Sequence, residues 1–271
     1  MSRTTECFKK LRLDGRKALI SYVMAGYPNV SGTIEMIDGM IAGGSDIIEI
    51  GFPFSDPLAD GSAIQRASSV SLNNGMNLKT YFEIVHKVRQ MHPNVPLFMM
   101  TYANILYSYG YKKIVIDATS AGLDGFIIPD ISPEESLEYR TIAKKNGLET
   151  VFLVSPNTDK VRLDKIILIS TGFLYMVAVY GTTGARTKID SYTLKVIREA
   201  KKSIGTKIPI GAGFGIRTAK DAKMYAEAGA DAVIIGSAYI KMVKDGDNRS
   251  LKYRTAKFTR KIKSHLDTIS T

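Results

Sequence analysis

The sequence predicts a single-domain α/β protein built as a (β/α)₈, or TIM, barrel, with an extra helix before the first strand and another after the second. Eight short apolar segments alternate with helical segments along the chain, which is the pattern of parallel βαβ units. The length of 271 residues fits such a barrel, which typically takes about 250 residues. We therefore expect one domain over residues 1–271.

Eight segments are predicted as strands, because each is a short, mainly apolar run bounded by turn-forming residues. They lie at 18–23, 47–50, 95–102, 125–130, 149–154, 173–179, 207–213 and 231–236. An open doubly wound sheet would need no eighth repeat, and no G-x-G-x-x-G motif follows the first of these strands. The closed barrel is therefore preferred over the open sheet.

The segments between the strands carry helix start and stop signals. Ser31 and Thr218 are predicted N-caps, Pro133 and Gly147 bracket one helix, and Gly229 ends another. The predicted helices lie at 4–11, 31–42, 63–73, 78–91, 111–120, 133–146, 160–170, 191–204 and 218–228, from 237 onward, and at 252–265. The last collects its apolar residues on one face and is predicted as an amphipathic helix with a solvated basic side.

The charge balance points to an anionic partner. Lys and Arg number 37 against 26 Asp and Glu, which gives a net charge of +11. Nucleic acid, a membrane surface and phosphorylated metabolites all fit that charge. No zinc-finger or RNP-like motif supports nucleic-acid binding, and no apolar run approaches the roughly 20 residues that span a bilayer. We expect no nucleic-acid and no membrane partner, and a phosphorylated metabolite is one of the anionic partners that fit the charge.

Cysteine usage and the N-terminal residues bear on the compartment. The one cysteine, Cys7, cannot form an internal disulfide and has no partner for a metal site, so no metal is expected. No apolar stretch follows the N-terminal charges, so no secretory signal is expected. A cytoplasmic protein is the consistent interpretation.

One predicted strand carries a charge where a buried strand is expected to be apolar. Glu49 interrupts the run Ile47, Ile48 and Ile50, and Asp60 follows in the loop. Glu49 is either a buried carboxylate paired with a Lys or Arg elsewhere, or an acid/base group facing a substrate pocket. If it points into the barrel, desolvation raises its pKa to about 6–7 while Asp60 stays ionised, and the two carboxylates divide the acid/base roles.

The carboxyl ends of the strands define the expected site. Functional groups of such barrels sit at these ends and in the loops behind them. One mouth of the barrel is therefore expected to hold Glu49, Asp60, Tyr102, Asp130, Tyr175 and Thr183.

Glycine-bearing loops follow the sixth, seventh and eighth predicted strands. Backbone N–H groups at a glycine turn bind phosphate, and barrels commonly use the loops after strands seven and eight. The candidates are Gly215, Gly236 and Ser237, with Gly184 closing from the sixth loop. The alternative is that these glycines only form tight turns.

Six segments carry a family resemblance. They are IEIGFPFSDPLADG, MTYAN, GFIIPD, GTTGAR, PIGAGFGI and DAVIIGSA. With the spacing between them, they resemble the tryptophan synthase α-subunit family from about residue 18 to residue 243. The resemblance implies a lyase of tryptophan biosynthesis that cleaves indole-3-glycerol phosphate to indole and glyceraldehyde 3-phosphate by a retro-aldol reaction.

The resemblance also implies residue roles. Glu49 would be the general acid/base, Asp60 would hold the indole N–H, and Thr183 would orient Asp60 when its loop closes. The implied substrate-binding residues are Tyr22, Met100, Tyr102, Ile127, Tyr175 and Thr183, and the implied phosphate-binding residues are Gly184, Gly215, Gly236 and Ser237.

A partner subunit follows from the same resemblance. Family α subunits dock on a pyridoxal-phosphate-dependent β subunit in an αββα heterotetramer and pass indole to it through a tunnel. The expected partner-facing residues are Asp56, Pro57, Asn104, Asp130 and Ser132. No cofactor is expected in this subunit, because pyridoxal phosphate belongs to the β partner.

The chain departs from the family pattern at five places outside the proton-transfer pair. Met24 stands where Thr is usual, Tyr27 where Asp is usual and Ser62 where Pro is usual. Ser132 closes a turn that is usually DLP-like, and the loop that is usually GVTG here reads GTTG, with Thr182 in place of Val. We expect Met24 to narrow or reshape the pocket, and Tyr27 and Ser132 to alter partner contacts.

Three alternatives stay open on the sequence alone. The first is a stand-alone lyase that releases indole, and the second is a non-catalytic or weakly active docking subunit that activates β. The third is a different phosphate-binding barrel, such as a sugar-phosphate isomerase.

Overall fold

The computed structural model of the protein describes residues 1–177, 191–213, 215–243 and 250–269. Within these ranges the chain forms nine strands and twelve helices. The strands are β1 (Ala18–Met24), β2 (Ile47–Gly51), β3 (Leu97–Met100), β4 (Gly125–Ile127), β5 (Glu149–Val151), β6 (Leu153–Val154), β7 (Leu174–Val177), β8 (Ile210–Gly213) and β9 (Ala232–Ile235). The helices are α1 (Arg3–Leu13), α2 (Val30–Ala42), α3 (Ser62–Asn73), α4 (Leu78–Met91), α5 (Ala103–Tyr109), α6 (Tyr111–Ala121), α7 (Leu137–Lys145), α8 (Lys160–Ile169), α9 (Ser191–Ile204), α10 (Ala219–Glu227), α11 (Ser237–Met242) and α12 (Leu251–Leu266).

The strands pair in parallel around one nearly closed barrel. Their order in the sheet is β5-β4-β3-β2-β1-β9-β8-β7-β6. The two edge strands, β5 and β6, are consecutive in the chain and are separated only by Phe152. One segment therefore supplies both edges of the sheet and corresponds to the fifth predicted strand. The predicted (β/α)₈ barrel is confirmed, including the helix before β1 and the extra helix after β2.

Side chains alternate between the barrel interior and the layer of helices, as the period of a strand requires. In β1, Ile20 packs inside the barrel and Leu19 packs against the helices. In β2, Ile47 packs inside, whereas Ile48 and Ile50 pack outside. Most strand residues are apolar and buried on both faces, as expected of a parallel sheet covered by helices.

The extra helix α1 closes the amino-terminal end of the barrel. Phe8 and Leu11 join the interior apolar cluster, and the Phe8 ring centroid lies 6.3 Å from that of Phe173. The Ser2 hydroxyl donates a 2.6 Å hydrogen bond to Glu149. With this end filled, a ligand has access only from the carboxyl ends of the strands.

One N-cap prediction is wrong. Helix α2 is capped by Asn29, whose side-chain oxygen accepts from Gly32 N at 2.8 Å, and not by Ser31. Both residue types are good caps, and the backbone is already helical at Val30. The predicted helix at 133–146 also starts later, at Leu137.

Helix α5 was not predicted. Its N-cap residue, Tyr102, provides no side-chain cap. Instead, Asp130 from the loop after β4 accepts a 2.8 Å hydrogen bond from Ala103 N. Because this cap comes from a distant part of the chain, local start signals do not show it.

The terminal helix α12 is amphipathic, as predicted. Ile262 and Leu266 are buried, whereas Lys257, Arg260 and Lys261 are exposed. Across the described ranges, no helix combines the length and apolarity that a membrane span requires.

Candidate active site

Glu49 lies in the middle of β2 with its side chain inside the barrel. Ile47, two residues earlier, belongs to the interior cluster, so strand alternation places Glu49 on the same face. The residue is 1% exposed. Neither carboxylate oxygen has a hydrogen-bond partner among the described residues. The buried ion pair that was the alternative interpretation is therefore not present in the described part of the chain.

The environment of Glu49 favours its neutral form. Burial without a donor raises its pKa to about 8, and the neighbouring Asp60 carboxylate adds to the rise. This value lies somewhat above the range of about 6–7 expected from the sequence. A carboxyl group that holds its proton at neutral pH can act as a general acid.

Asp60 is positioned by Tyr102. The Tyr102 hydroxyl donates a 3.0 Å hydrogen bond to Asp60 Oδ2 and accepts one from Ala59 N at 3.2 Å. The Tyr102 ring stacks on Phe54 with centroids 5.0 Å apart. Burial raises the pKa of Asp60 to about 6, and the hydrogen bond from Tyr102 opposes that rise. Tyr102 thus contacts a site carboxylate and does not itself line the cavity.

The two carboxylates differ in charge over a defined pH range. Between pH values of about 6 and about 8, Asp60 is ionised while Glu49 keeps its proton. Two acids whose surroundings separate their pKa values can serve as proton donor and as anionic acceptor in one site.

Both carboxylates line one cavity at the carboxyl ends of the strands, with an empty volume of about 780 Å³. The other predicted site residues that line it are Tyr22, Met100, Ile127, Tyr175, Gly215, Gly236 and Ser237. Most of the lining is apolar, and the described lining residues include no Lys or Arg. Among the described lining residues, main-chain groups and the Ser237 hydroxyl are the groups that could hold an anion.

Glycines expose the main chain on the side of the cavity formed after β8 and β9. Gly215 has a φ of +71°, in the left-handed region that favours glycine. A Cβ at Gly213 would lie 2.6 Å from Cβ of Ile234, and a Cβ at Gly236 would lie 3.2 Å from the Tyr22 ring. Side chains at these positions would clash or crowd the cavity. Main-chain N–H groups at such turns and at the start of the following helix suit a phosphate.

Comparison with known proteins identifies the family. A family model described as "Tryptophan synthase alpha chain" matches residues 8–269. The chain belongs to this family. Tryptophan synthase α chains are lyases, so the predicted family and enzyme class are confirmed.

Individual relatives agree with the assignment. The chain is 43% identical to the tryptophan synthase alpha chain of Methanosarcina barkeri over 244 residues, which are 90% of each chain. It is 40% identical to that of Methanosarcina mazei over 262 residues, 97% of this chain and 93% of the relative. The crystal structure of the tryptophan synthase alpha chain from Legionella pneumophila superimposes with a TM-score of 0.89 at 28% identity, covering 100% and 99% of the two chains.

Two predicted site residues, Thr183 and Gly184, lie outside the described residues. Among the residues that are described, no group of three or more His, Cys, Asp or Glu side chains could hold a metal ion.

The predicted partner-facing residues lie in loops and helix starts around the cavity mouth. Asp56, Asn104 and Asp130 are exposed, and Pro57 and Ser132 are partly exposed. Asp130 caps α5, which carries Asn104. The Ser132 hydroxyl donates a 2.6 Å hydrogen bond to Glu135 and stabilises the turn before α7.

The departures from the α-chain pattern are accommodated inside the fold. Met24 is 2% exposed and does not line the cavity; its sulfur lies 3.9 Å from the Tyr22 hydroxyl, which donates to it. Met24 can therefore affect the shape of the pocket only through its contact with Tyr22. Tyr27 is also buried, in the apolar cluster that includes Tyr22, Met24 and Ile240. Ser62 is the first residue of α3.

Several cavity residues were not predicted as site residues. They are Ala59, Gly61, Ile64, Pro129, Leu153, Gly213, Ile216 and Ile234. Leu153 and Ile234 occupy inward-facing strand positions, so strand alternation is the signal that could have identified them. Gly213 lies in the segment PIGAGFGI that carries the resemblance.

Proposed function

We propose that the chain acts as the α subunit of tryptophan synthase and cleaves indole-3-glycerol phosphate to indole and glyceraldehyde 3-phosphate. The observation that carries the proposal is the cavity that Glu49 and Asp60 share with the glycine turns after β8 and β9. One part of this cavity can move a proton, and another part can hold an anion without a basic side chain. Membership of the tryptophan synthase alpha chain family supports the same reaction.

Glu49 would exchange protons with the substrate at two atoms. Its neutral carboxyl would protonate C3 of the indole ring, and the resulting carboxylate would accept the proton of the glycerol hydroxyl next to the breaking bond. The bond between C3 and the glycerol carbon then breaks, its electrons return to the ring, and the hydroxyl becomes the aldehyde. Glu49 ends in the protonation state in which it began. A pKa of about 8 suits both transfers near neutral pH.

Asp60 would stabilise the charge that develops on the ring. When C3 is protonated, positive charge appears at the indole nitrogen, and an ionised carboxylate that accepts the N–H hydrogen bond lowers the energy of that species. Asp60 is ionised above pH of about 6. Tyr102 orients it in the described structure, and we propose that Thr183 also orients it.

The remaining lining residues would divide between the two ends of the substrate. Tyr22, Met100 and Ile127 offer apolar surface for the indole ring, and Tyr175 lies where the glycerol phosphate would pass. The phosphate would be held by main-chain N–H groups of Gly184, Gly215, Gly236 and Ser237.

The reaction is tested by indole formation from indole-3-glycerol phosphate. We expect Glu49→Gln to reduce kcat by about 10²- to 10⁴-fold, because the amide cannot donate and retrieve a proton. Glu149→Gln is the matched control, since Glu149 is also a buried carboxyl of the barrel interior but lies at the closed end. Turnover of Glu49→Gln within about twofold of the wild type would reject the assigned role.

We further propose that the exposed residues at the mouth, namely Asp56, Pro57, Asn104, Asp130 and Ser132, dock on a β subunit in an αββα assembly. Pyridoxal phosphate would reside in that partner, and this chain would need no cofactor for its own reaction. The family to which the chain belongs supports a β partner. Adding a cognate β subunit should raise the rates of both subunits. An unchanged rate would favour the stand-alone lyase instead. The cytoplasmic location stays a prediction.

A further inference from the structure

A chain of buried hydroxyl groups crosses the fold behind the phosphate side of the cavity. Ser45 donates to Ser21 at 2.8 Å, and Ser21 donates to the Tyr239 hydroxyl at 3.0 Å. The Tyr239 and Thr259 hydroxyls lie 2.8 Å apart. Thr259 in turn donates to Thr255 O at 2.7 Å.

The direction of this chain follows from one proton per hydroxyl. Since Thr259 gives its proton to Thr255 O, it can only accept from Tyr239. Tyr239 then donates to Thr259 and accepts from Ser21, which itself accepts from Ser45. Ser21, Tyr239 and Thr259 each donate once and accept from the neighbour before them, and the chain ends on a main-chain carbonyl. Ser45 begins the chain; its proton also has Leu19 O at 3.2 Å and Ile47 O at 3.1 Å within reach, and Ser21 at 2.8 Å is the shortest of the three contacts. We call these four residues, Ser45, Ser21, Tyr239 and Thr259, the hydroxyl relay.

Two members of the relay, Ser21 and Tyr239, lie near cavity-lining residues in the chain. Ser21 precedes Tyr22, and Ser45 lies just before β2, which carries Glu49. Tyr239 is in α11, which starts at Ser237 directly after Gly236. Thr259 is in α12, outside the barrel wall. The relay therefore ties the segment that bears Gly236 and Ser237 to β1 and to α12.

Helix α11 depends on such ties for its position. It has only six residues, and a helix that short is not stable by itself in water. Tyr239 is completely buried, and its ring packs edge-on against Phe258 with centroids 5.2 Å apart. On the cavity side, Gly236 abuts the Tyr22 ring. A small shift of α11 would displace the turn at Gly236 and Ser237.

We propose that Tyr239 is a positioning residue that, through the hydroxyl relay, sets the place of the Gly236–Ser237 turn and thereby the affinity for the phosphate group. This inference rests on the proposed phosphate site. Tyr239 touches neither the substrate nor the cavity; it acts through the turn at the start of α11.

The test compares four variants of the full-length chain. Tyr239→Phe and Thr259→Val break the relay, and Thr259→Ser keeps its hydroxyl. Tyr139→Phe is the matched control, because Tyr139 is equally buried and packs edge-on on Phe126 at 5.8 Å. Its hydroxyl has no partner in the described part of the chain. The readouts are KM and kcat for indole-3-glycerol phosphate, and the Kd of inorganic phosphate by calorimetry.

We expect Tyr239→Phe and Thr259→Val to raise both KM and the phosphate Kd about three- to tenfold, in keeping with the loss of one net hydrogen bond. The kcat should stay within about twofold. Thr259→Ser and Tyr139→Phe should leave both constants within about twofold of the wild type. If Tyr239→Phe does not fold, Thr259→Val against Thr259→Ser decides the question in the same way.

Three results would overturn the inference. One is a lowered Tm with unchanged KM and phosphate Kd in the relay variants, which would make the relay purely structural. Another is an equal rise in Tyr139→Phe, which would make the effect unspecific. The third is a wild type that binds no inorganic phosphate. A wild type that forms no indole, but whose phosphate Kd responds to the relay variants as expected, would refute the proposed reaction and support the positioning role.

Discussion

Replacing Glu49 by Gln should stabilise the protein at alkaline pH even as it abolishes turnover. In the unfolded chain the Glu49 carboxyl titrates at its ordinary pKa of 4.5, whereas in the folded barrel burial and then Asp60 raise that pKa to about 8. Between these values the folded protein holds a proton that the unfolded chain has released. The free energy of unfolding of the wild type therefore falls as the pH rises through this range.

The size of the effect follows from the same two pKa values. Each unit of pKa difference corresponds to about 1.4 kcal/mol, so full burial sets an upper limit of about 5 kcal/mol. Because Gln does not titrate, Glu49→Gln escapes this loss. We expect its advantage to grow from its smallest value near pH 5 to about 4–5 kcal/mol at pH 9.

Urea unfolding of the wild type and of Glu49→Gln at pH 5, 7 and 9 measures this difference. The reasoning requires that the gap between the two free energies of unfolding widens with pH and levels off above a pH of about 8. A gap that is independent of pH would show that Glu49 titrates normally in the folded state. A gap that narrows with pH would show that its carboxylate is stabilised by a partner.

Three further perturbations test other parts of the site. Tyr102→Phe removes the donor that opposes the rise in the Asp60 pKa, so the acidic limb of kcat/KM should move above a pH of about 6 and kcat/KM should fall about tenfold. Gly215→Ala places an alanine at a φ of +71°, and the control Gly75→Ala places one at +80°. Each variant should lose about 1–2 kcal/mol of its free energy of unfolding, measured in urea. Only Gly215→Ala should raise the KM for indole-3-glycerol phosphate. Asp130→Ala removes the cap of α5 and should lower the free energy of unfolding by about 1 kcal/mol, measured by thermal unfolding. It should also weaken activation by a β subunit, while the rate of indole formation without that subunit stays unchanged.

Each of these perturbations has an outcome that contradicts the account. An acidic limb that does not move in Tyr102→Phe would mean that the limb belongs to the substrate phosphate and not to Asp60. If Gly215→Ala and Gly75→Ala changed the KM equally, the turn after β8 would not be part of the phosphate site. Undiminished activation of Asp130→Ala by a β subunit would remove α5 from the proposed docking surface.

The barrel could be predicted because its signal is repeated. Each strand is a short apolar run that ends at a Gly, Pro or polar residue, and eight repeats leave few other architectures. Glu49 could be identified as a candidate site residue because it is the one charged residue within an apolar strand. The direction of its side chain could not be read from the sequence, because Ile48 and Ile50 on the other face of the strand are as apolar as Ile47.

The features that escaped prediction depend on contacts between distant segments. Helix α5 takes its cap from Asp130, and the Asp60 carboxylate is held by a hydroxyl 42 positions along the chain, that of Tyr102. Met24 was expected to narrow or reshape the pocket, but it does not line the cavity and packs in the cluster that includes Tyr22. A sequence lists the residue types, whereas these pairings require the closed barrel to bring the loops together.

The protonation state of Glu49 in the free enzyme tests the central claim most directly. Difference infrared spectroscopy between the wild type and Glu49→Gln can follow the carbonyl stretch of a protonated carboxyl as the pH is raised. The account predicts a band, absent from Glu49→Gln, that persists through neutral pH and disappears near pH 8. Loss of that band near the ordinary pKa of 4.5 would show a solvated or paired carboxylate and contradict the account.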